Sequence, residues 1–159
     1  MKLYLVRHGK AEPADGKIDD HDRPLTADGA ARLETTAAVI ARLNLKPDHI
    51  YSSPRVRARQ TAEIIARALH KDVEILEAVD FDFSVQAVQV VTKDLGPDAE
   101  IMFVGHNPSM EQVVQMLTGA NVMMKVGSLA RIDIDLPQEP LRGQLTWLLA
   151  PKVFDALAQ

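Results

Sequence analysis

The chain has 159 residues, 47% hydrophobic and 25% charged, enough to bury a core without metal or disulfide staples. It contains no cysteine, which excludes disulfides, thiolate nucleophiles and Cys-ligated zinc. A formal charge of −4 argues against nucleic acid as the main partner, and the apolar runs are too short for a signal core or a membrane span, so one cytoplasmic domain over residues 1–159 is expected.

Strand and helix patterns alternate along the sequence. KLYLV, residues 2–6, reads as a buried strand that stops at Arg7-His8-Gly9. Thr26 is the N-cap of a helix in which Ala30, Leu33, Ala37, Ile40 and Ala41 recur at helical spacing, and this helix should end near Leu43. Residues 48–53 form a second short strand, with Ser53 and Pro54 as the N-cap and first-turn residue of a helix that buries Ala58, Ala62, Ile65, Ala66 and Leu69. A strand at 73–76, a helix over 84–95, a buried strand at 100–104 and a helix over 108–119 closed by Gly119 follow. SLARIDIDL (128–136) and QLTWLLA (144–150) then read as neighbouring strands joined by a Pro-containing turn, with a short terminal helix. This order implies an α/β fold: three layers, α/β/α, with a mainly parallel central sheet, an antiparallel portion and helices on both faces.

In such sheets, ligands gather beyond the carboxyl ends of the strands. His8 follows the first strand, His106 follows the strand at 100–104, and Arg55, Arg57 and Arg59 follow the second. Cations in a first helical turn oppose the macrodipole by about 0.3–1 kcal/mol each, so something should offset them. Arg59 has Glu63 one turn on, and Arg55 shares its side, which makes both surface residues. Arg57 has no acidic residue at 53, 54, 60 or 61, so an external anion is its expected partner, and an arginine at a helix N-terminus suits phosphate.

A phosphoryl group needs cations around its oxygens and a nucleophile in line with the departing group. Arg7 and Arg57 are the expected clamp. Among His8, His106, Ser52, Ser53 and Asn107, a neutral imidazole is the strongest nucleophile near neutral pH, because its reference pKa of about 6.5 falls further beside arginine. His8 is therefore the expected nucleophile, with Gly9 letting backbone approach the ring and fix its tautomer.

LVRHG at the first strand, DRPLTADG at the first helix, SSPRVRARQTA and VGHNP, in that order, resemble the histidine phosphatase superfamily. The resemblance implies that His8 is phosphorylated and that Arg7, Arg57 and His106 surround the phosphate. Its Ala-x-Gln-Thr run, here residues 58–61, selects Arg57 as the catalytic arginine. Gly9, Arg23 and Asn107 are expected to line the substrate site. Sugar-phosphate mutases of that superfamily usually carry Ser and Asn where this chain has Ala11 and Ala14, and the Arg-His-Gly-x-Ala form is similar to the SixA-type phosphohistidine phosphatases.

Larger members carry a carboxylic general acid after the third strand and insertions that lid the pocket. Glu77, Asp80 and Asp82 are the only acids in the corresponding stretch, none fitting convincingly, and the chain is too short for a substantial lid. An imidazole with a reference pKa of about 6.5 departs without a strong proton donor. These features favour phosphohistidine on a histidine-carrier protein or domain as substrate, handled by a monomer without metal or cofactor. A phosphatase or mutase for small phosphate esters is the first alternative, and a non-catalytic phosphate-binding module the second. DDHDRP around His21 reads as a charged turn, not a metal cluster. His49 and His70 read as ordinary exposed positions, and Met123, Met124 and Trp147 as packing.

Overall fold

The alternation of side chains along two strands decides how the layers assemble. In the computed structural model, which describes residues 1–135 and 140–159, these strands are β1 (Lys2–Arg7) and β4 (Glu100–Gly105). The other strands are β2 (His49–Ser52), β3 (Glu74–Ile75), β5 (Leu129–Ile134) and β6 (Gly143–Leu149). The helices are α1 (Ala27–Arg42), α2 (Val56–Leu69), α3 (Val85–Thr92), α4 (Ser109–Thr118) and α5 (Pro151–Leu157).

Tyr4 and Val6 of β1 and Met102 and Val104 of β4 turn to one face, where they pack with Leu33 and Ile40 of α1, Ile65 of α2 and Phe154 of α5. Leu3, Leu5, Ile101 and Phe103 turn to the other, against Val88 of α3 and Val113 and Leu117 of α4. A strand buried on both faces must be apolar at every position, which is why LYLV and IMFV are unbroken runs. Each such side chain contributes about 1.5–3 kcal/mol by leaving water.

The sheet order is β3-β2-β4-β1-β5-β6. The first four strands are parallel, and β5 and β6 are antiparallel, the mixed three-layer architecture expected from the sequence. Register positions the site. Arg7 stands opposite Gly105 and Ser52 opposite Val104, so β1, β4 and β2 end level with one another. The ladder continues one step further, with His8 N donating to the Gly105 carbonyl and Ser53 N to the Val104 carbonyl, each at 3.0 Å.

Local signals were good at helix ends with real caps. Thr26 Oγ1 accepts from Gly29 N at 2.9 Å, Leu43 closes α1, and Gly119 adopts φ 75° after α4. The start of α2 differs from expectation: the N-cap position is Arg55, without a side-chain cap bond, and the helix begins at Val56. Ser53 lies too far upstream, and its hydroxyl is used elsewhere. Helix α3 stops at Thr92, short of 95, and β3 shrinks to two exposed residues at the sheet edge, paired only with Tyr51 and Ser52. The end of the predicted strand at 136 and the Pro-containing turn fall on residues 136–139, outside those described. Met124 is buried and Trp147 packs against Tyr4, but Met123 is 74% exposed and packs against nothing in the core. Among the described residues, no helix is long and apolar enough to cross a membrane.

The loop after His8 is clamped onto α1 by backbone. Lys10 O accepts from Thr26 N at 2.9 Å, and a Cβ placed at Gly29 would lie 2.2 Å from that same oxygen. Neither partner can rotate away. Gly29→Ala is expected to lower the urea-unfolding free energy by about 1–3 kcal/mol, whereas Gly96→Ala, where a Cβ meets nothing within 4 Å, should change it by less than about 0.5 kcal/mol.

Candidate active site

The level ends of β1, β4 and β2 bring His8, His106 and Ser53 to one rim. The two imidazoles lie 5.0 Å apart between ring centroids, tilted by 55°. Gly9 O lies 2.7 Å from His8 Nδ1, and since a carbonyl only accepts, Nδ1 carries the hydrogen and Nε2 keeps its lone pair. Arg57 Nε approaches that lone pair at 3.4 Å. Burial pushes His8 down to about 4, opposed by the Gly9 hydrogen bond and helped by the charges of Arg57, Arg7 and Arg23. The ring is thus a neutral base with Nε2 directed at a cation.

Gly9 N donates to Thr61 Oγ1 at 3.1 Å, which fastens the loop to α2. A Cβ at Gly9 would meet Leu33 Cδ1 at 2.5 Å, so glycine lets the loop lie close against α1. Its amide is therefore committed within the fold. Asn107, another residue expected to line the substrate site, is similar: Nδ2 donates to Glu111 Oε1 at 2.7 Å and to Met124 O at 3.1 Å, leaving only an acceptor, Oδ1.

The arginines are organised by one carboxylate that helix-local reasoning missed. Asp20 Oδ1 accepts from Arg23 Nε and Nη2 at 2.9 and 2.6 Å, and its Oδ2 from Arg55 Nη1 at 2.8 Å and Arg57 Nη2 at 3.2 Å. Its backbone carbonyl accepts from Arg57 Nη1 at 2.6 Å. The offset sought for Arg57 therefore comes from within the chain, 37 positions upstream. Arg55 is not a surface residue either: its Nε donates to Asp80 Oδ1 at 2.7 Å, and its guanidinium sits 4.2 Å over the Phe81 ring. Arg59 is exposed, and no ion pair joins it to Glu63 among the described residues. In the DDHD stretch, Asp19 caps a short turn, His21 pairs with Asp22 and Asp20 turns to the arginines, which accounts for its charges. His49 pairs with Glu74 and stacks on Tyr51, while His70 is the left-handed residue ending α2.

Arg7 donates from Nη1 to Met124 O at 2.7 Å, but its Nε is buried without a partner, as is His106 Nδ1. Buried polar groups left unpaired cost about 1–3 kcal/mol each, so their gathering at one rim suits a polar ligand. His106 Nε2 bonds Ser53 Oγ at 2.8 Å, and burial, then the charges of His8 and Arg57, push this ring down to about 3. Of the three acids considered, Glu77 and Asp82 are exposed and outside these hydrogen bonds. Asp80 alone reaches the site. Partial burial pushes it up, but the Arg55 and Ser53 hydrogen bonds and the Arg55 charge outweigh this and hold it below the usual carboxylate range.

The model of the histidine phosphatase superfamily (branch 1) matches residues 3–80, from β1 through Asp80. An uncharacterised protein of Picosynechococcus sp. is 33% identical over 132 residues, covering 79% of this chain and 80% of its own length. The chain belongs to the histidine phosphatase superfamily. Among solved members, the protein histidine phosphatase SixA in complex with tungstate superposes with a TM-score of 0.83 at 24% identity, over 96% of this chain and 98% of the other. The Agrobacterium tumefaciens protein assigned as the phosphohistidine phosphatase SixA gives 0.77 at 28% identity, over 94% and 97%. Membership supports a phosphatase or a mutase.

The depressed imidazoles set a pH dependence. Unfolded histidines titrate near about 6.5, so as pH falls the unfolded chain binds protons that folded His8 and His106 refuse. Their contribution is constant above about pH 6.5 and stability falls from there toward about pH 4, before the depressed Asp20 and Asp80 add their own loss at more acid pH. Urea midpoints across this window check the point: the double variant His8→Gln, His106→Gln should lose most of the slope between about pH 6.5 and 4.5.

Proposed function

We propose that this protein is a phosphatase that works through a phosphohistidine intermediate on His8 and takes its phosphoryl group from phosphohistidine on a partner protein. One observation carries the reading: a neutral His8 with Nδ1 tied to Gly9 O presents its Nε2 lone pair to Arg57, beside a buried His106. In the first step, Nε2 attacks phosphorus and the bond from phosphorus to the substrate's ring nitrogen breaks. Arg57 and the unpaired Nε of Arg7 bind the phosphoryl oxygens as charge moves onto them. In the second, water attacks phosphorus, the bond to His8 breaks and inorganic phosphate leaves. Arg23 adds positive potential through its place beside Asp20.

The substrate class follows from the leaving group. Asp80 is held ionised by Arg55, so it is ill suited to donate a proton, and an alkoxide would need one. A departing imidazole, with a reference pKa of about 6.5, does not. The surroundings of the site also suit a protein surface. Phe81 touches the site directly, Met123 precedes the carbonyl that binds Arg7, and Val126 precedes the Gly127 amide that bonds His8 O; all three are large apolar side chains exposed to solvent. The SixA neighbours support the same substrate.

Quenching after a labelled phosphodonor should leave acid-labile, base-stable label on the wild-type protein and none on His8→Ala; equal labelling of both would sink the intermediate. Arg57→Ala, which removes a charged donor from the reacting group, should lower kcat/KM by about 10²–10³-fold. Turnover of a phosphorylated histidine-carrier domain is expected to exceed that of a panel of sugar phosphates and to survive thorough EDTA treatment. Faster turnover of the sugars would favour the small-ester reading, and phosphate binding without any turnover the binding-module reading.

A further inference from the structure

Ser53 is fully buried between two groups that compete for its hydroxyl. Its Oγ lies 3.1 Å from Asp80 Oδ1 and 2.8 Å from His106 Nε2, and it accepts from Arg55 N at 3.3 Å. A hydroxyl has a single hydrogen to give. An ionised carboxylate only accepts, so the hydrogen goes to Asp80. His106 Nε2 must then be the donor to Ser53, and its own hydrogen sits on that nitrogen. By exclusion, the neutral ring carries no hydrogen on Nδ1, the buried atom without a partner.

We propose that Asp80 acts through the Ser53 hydroxyl as a positioning residue for His106, holding the ring in the Nε2–H form with Nδ1 bare. Its bearing on turnover rests on the phosphatase reading above; the tautomer itself does not. Held this way, Nδ1 is a hydrogen-bond acceptor. If it gains a proton, the resulting imidazolium already has a counter-charge, since Asp80 Oδ1 lies 3.5 Å from the other nitrogen. The remaining charges around the ring oppose protonation: His8 at the end of β1, and Arg55 and Arg57 at the start of α2. From α4, Ser109 Oγ donates to the His106 carbonyl, which fixes the backbone and leaves the ring's hydrogen to the Ser53 side. Asp80 is thus the one favourable charge facing His106, and it acts across a shared hydroxyl.

The tautomer can be read directly in long-range proton–nitrogen spectra of protein labelled with 15N-histidine, His106 being assigned by its loss in His106→Gln. Near neutral pH the wild type should show hydrogen on Nε2 and a bare Nδ1. Asp80→Asn should give a mixture, because an amide offers Ser53 both a donor and an acceptor; Asp80→Glu should keep the wild-type form, and Ser53→Ala should lose the bias. In kinetics, Asp80→Asn should lower kcat by about 10²-fold with KM little changed, less than the about 10⁴-fold loss when an orienting carboxylate contacts its histidine directly. Its acid limb should move to lower pH, because removing a negative charge disfavours protonated His106. A wild-type ring with hydrogen on Nδ1, or an Asp80→Asn ring that keeps its full Nε2–H bias, would overturn the proposal. If the tautomer behaves as stated but neither phosphoprotein nor ester is turned over, the phosphatase reading fails and the positioning role stands.

Discussion

The parallel pairing of β1 with β4 is the constraint on which the rest of the molecule depends. Arg7 opposite Gly105 makes the next residues, His8 and His106, neighbours without any contact designed between the rings themselves. The pairing is held from both faces by layers that share no side chains, so the strand ends are over-determined. A slip of one residue would turn every core position of β1 to the wrong face as well as part the two imidazoles. Precision at the rim is a by-product of burial.

Electrostatics then decides what this rim can hold. Arg23, Arg55 and Arg57 converge on a chain whose net charge is negative, and their mutual repulsion is offset by Asp20 and Asp80. Both carboxylates come from segments outside the regular elements, so helix α2 supplies the cations and loops supply the counter-ions. What stays unmatched is small and local: the lone pair of His8, one buried nitrogen of Arg7 and one of His106. Such a set is neither a metal cage nor an apolar pocket, and it agrees with the proposed oxyanion chemistry.

How much of this was legible from the sequence depended on range. Strands buried on both faces wrote themselves as LYLV and IMFV, and Thr26 and Gly119 marked helix ends through bonds to residues within one turn. The site's two imidazoles were found because each directly follows such a strand. Contacts that span the fold left no local trace. Asp20 meets Arg57 across 37 positions, and reading only one turn around Arg57 made that arginine look unpaired when it is not. Arg55 was assigned to the surface for the same reason, since its partners Asp20 and Asp80 lie on other segments. Ser53 was misread because serine before a proline ordinarily caps a helix, whereas here its hydroxyl is drawn to His106 and Asp80. Asp20 and Ser53 were nonetheless visible as an oddity: polar residues crowded beside arginines with no obvious surface purpose.

That diversion leaves α2 with Arg55 at its N-cap and no side chain closing its first turn. An aspartate or serine at 55 would restore a cap worth about 0.5–2 kcal/mol while severing the link between the two carboxylate loops. Selection for heat resistance alone would therefore drift toward a sturdier helix and a disordered pocket, so thermostable homologues that keep arginine there carry a signature of having been selected for what the pocket does.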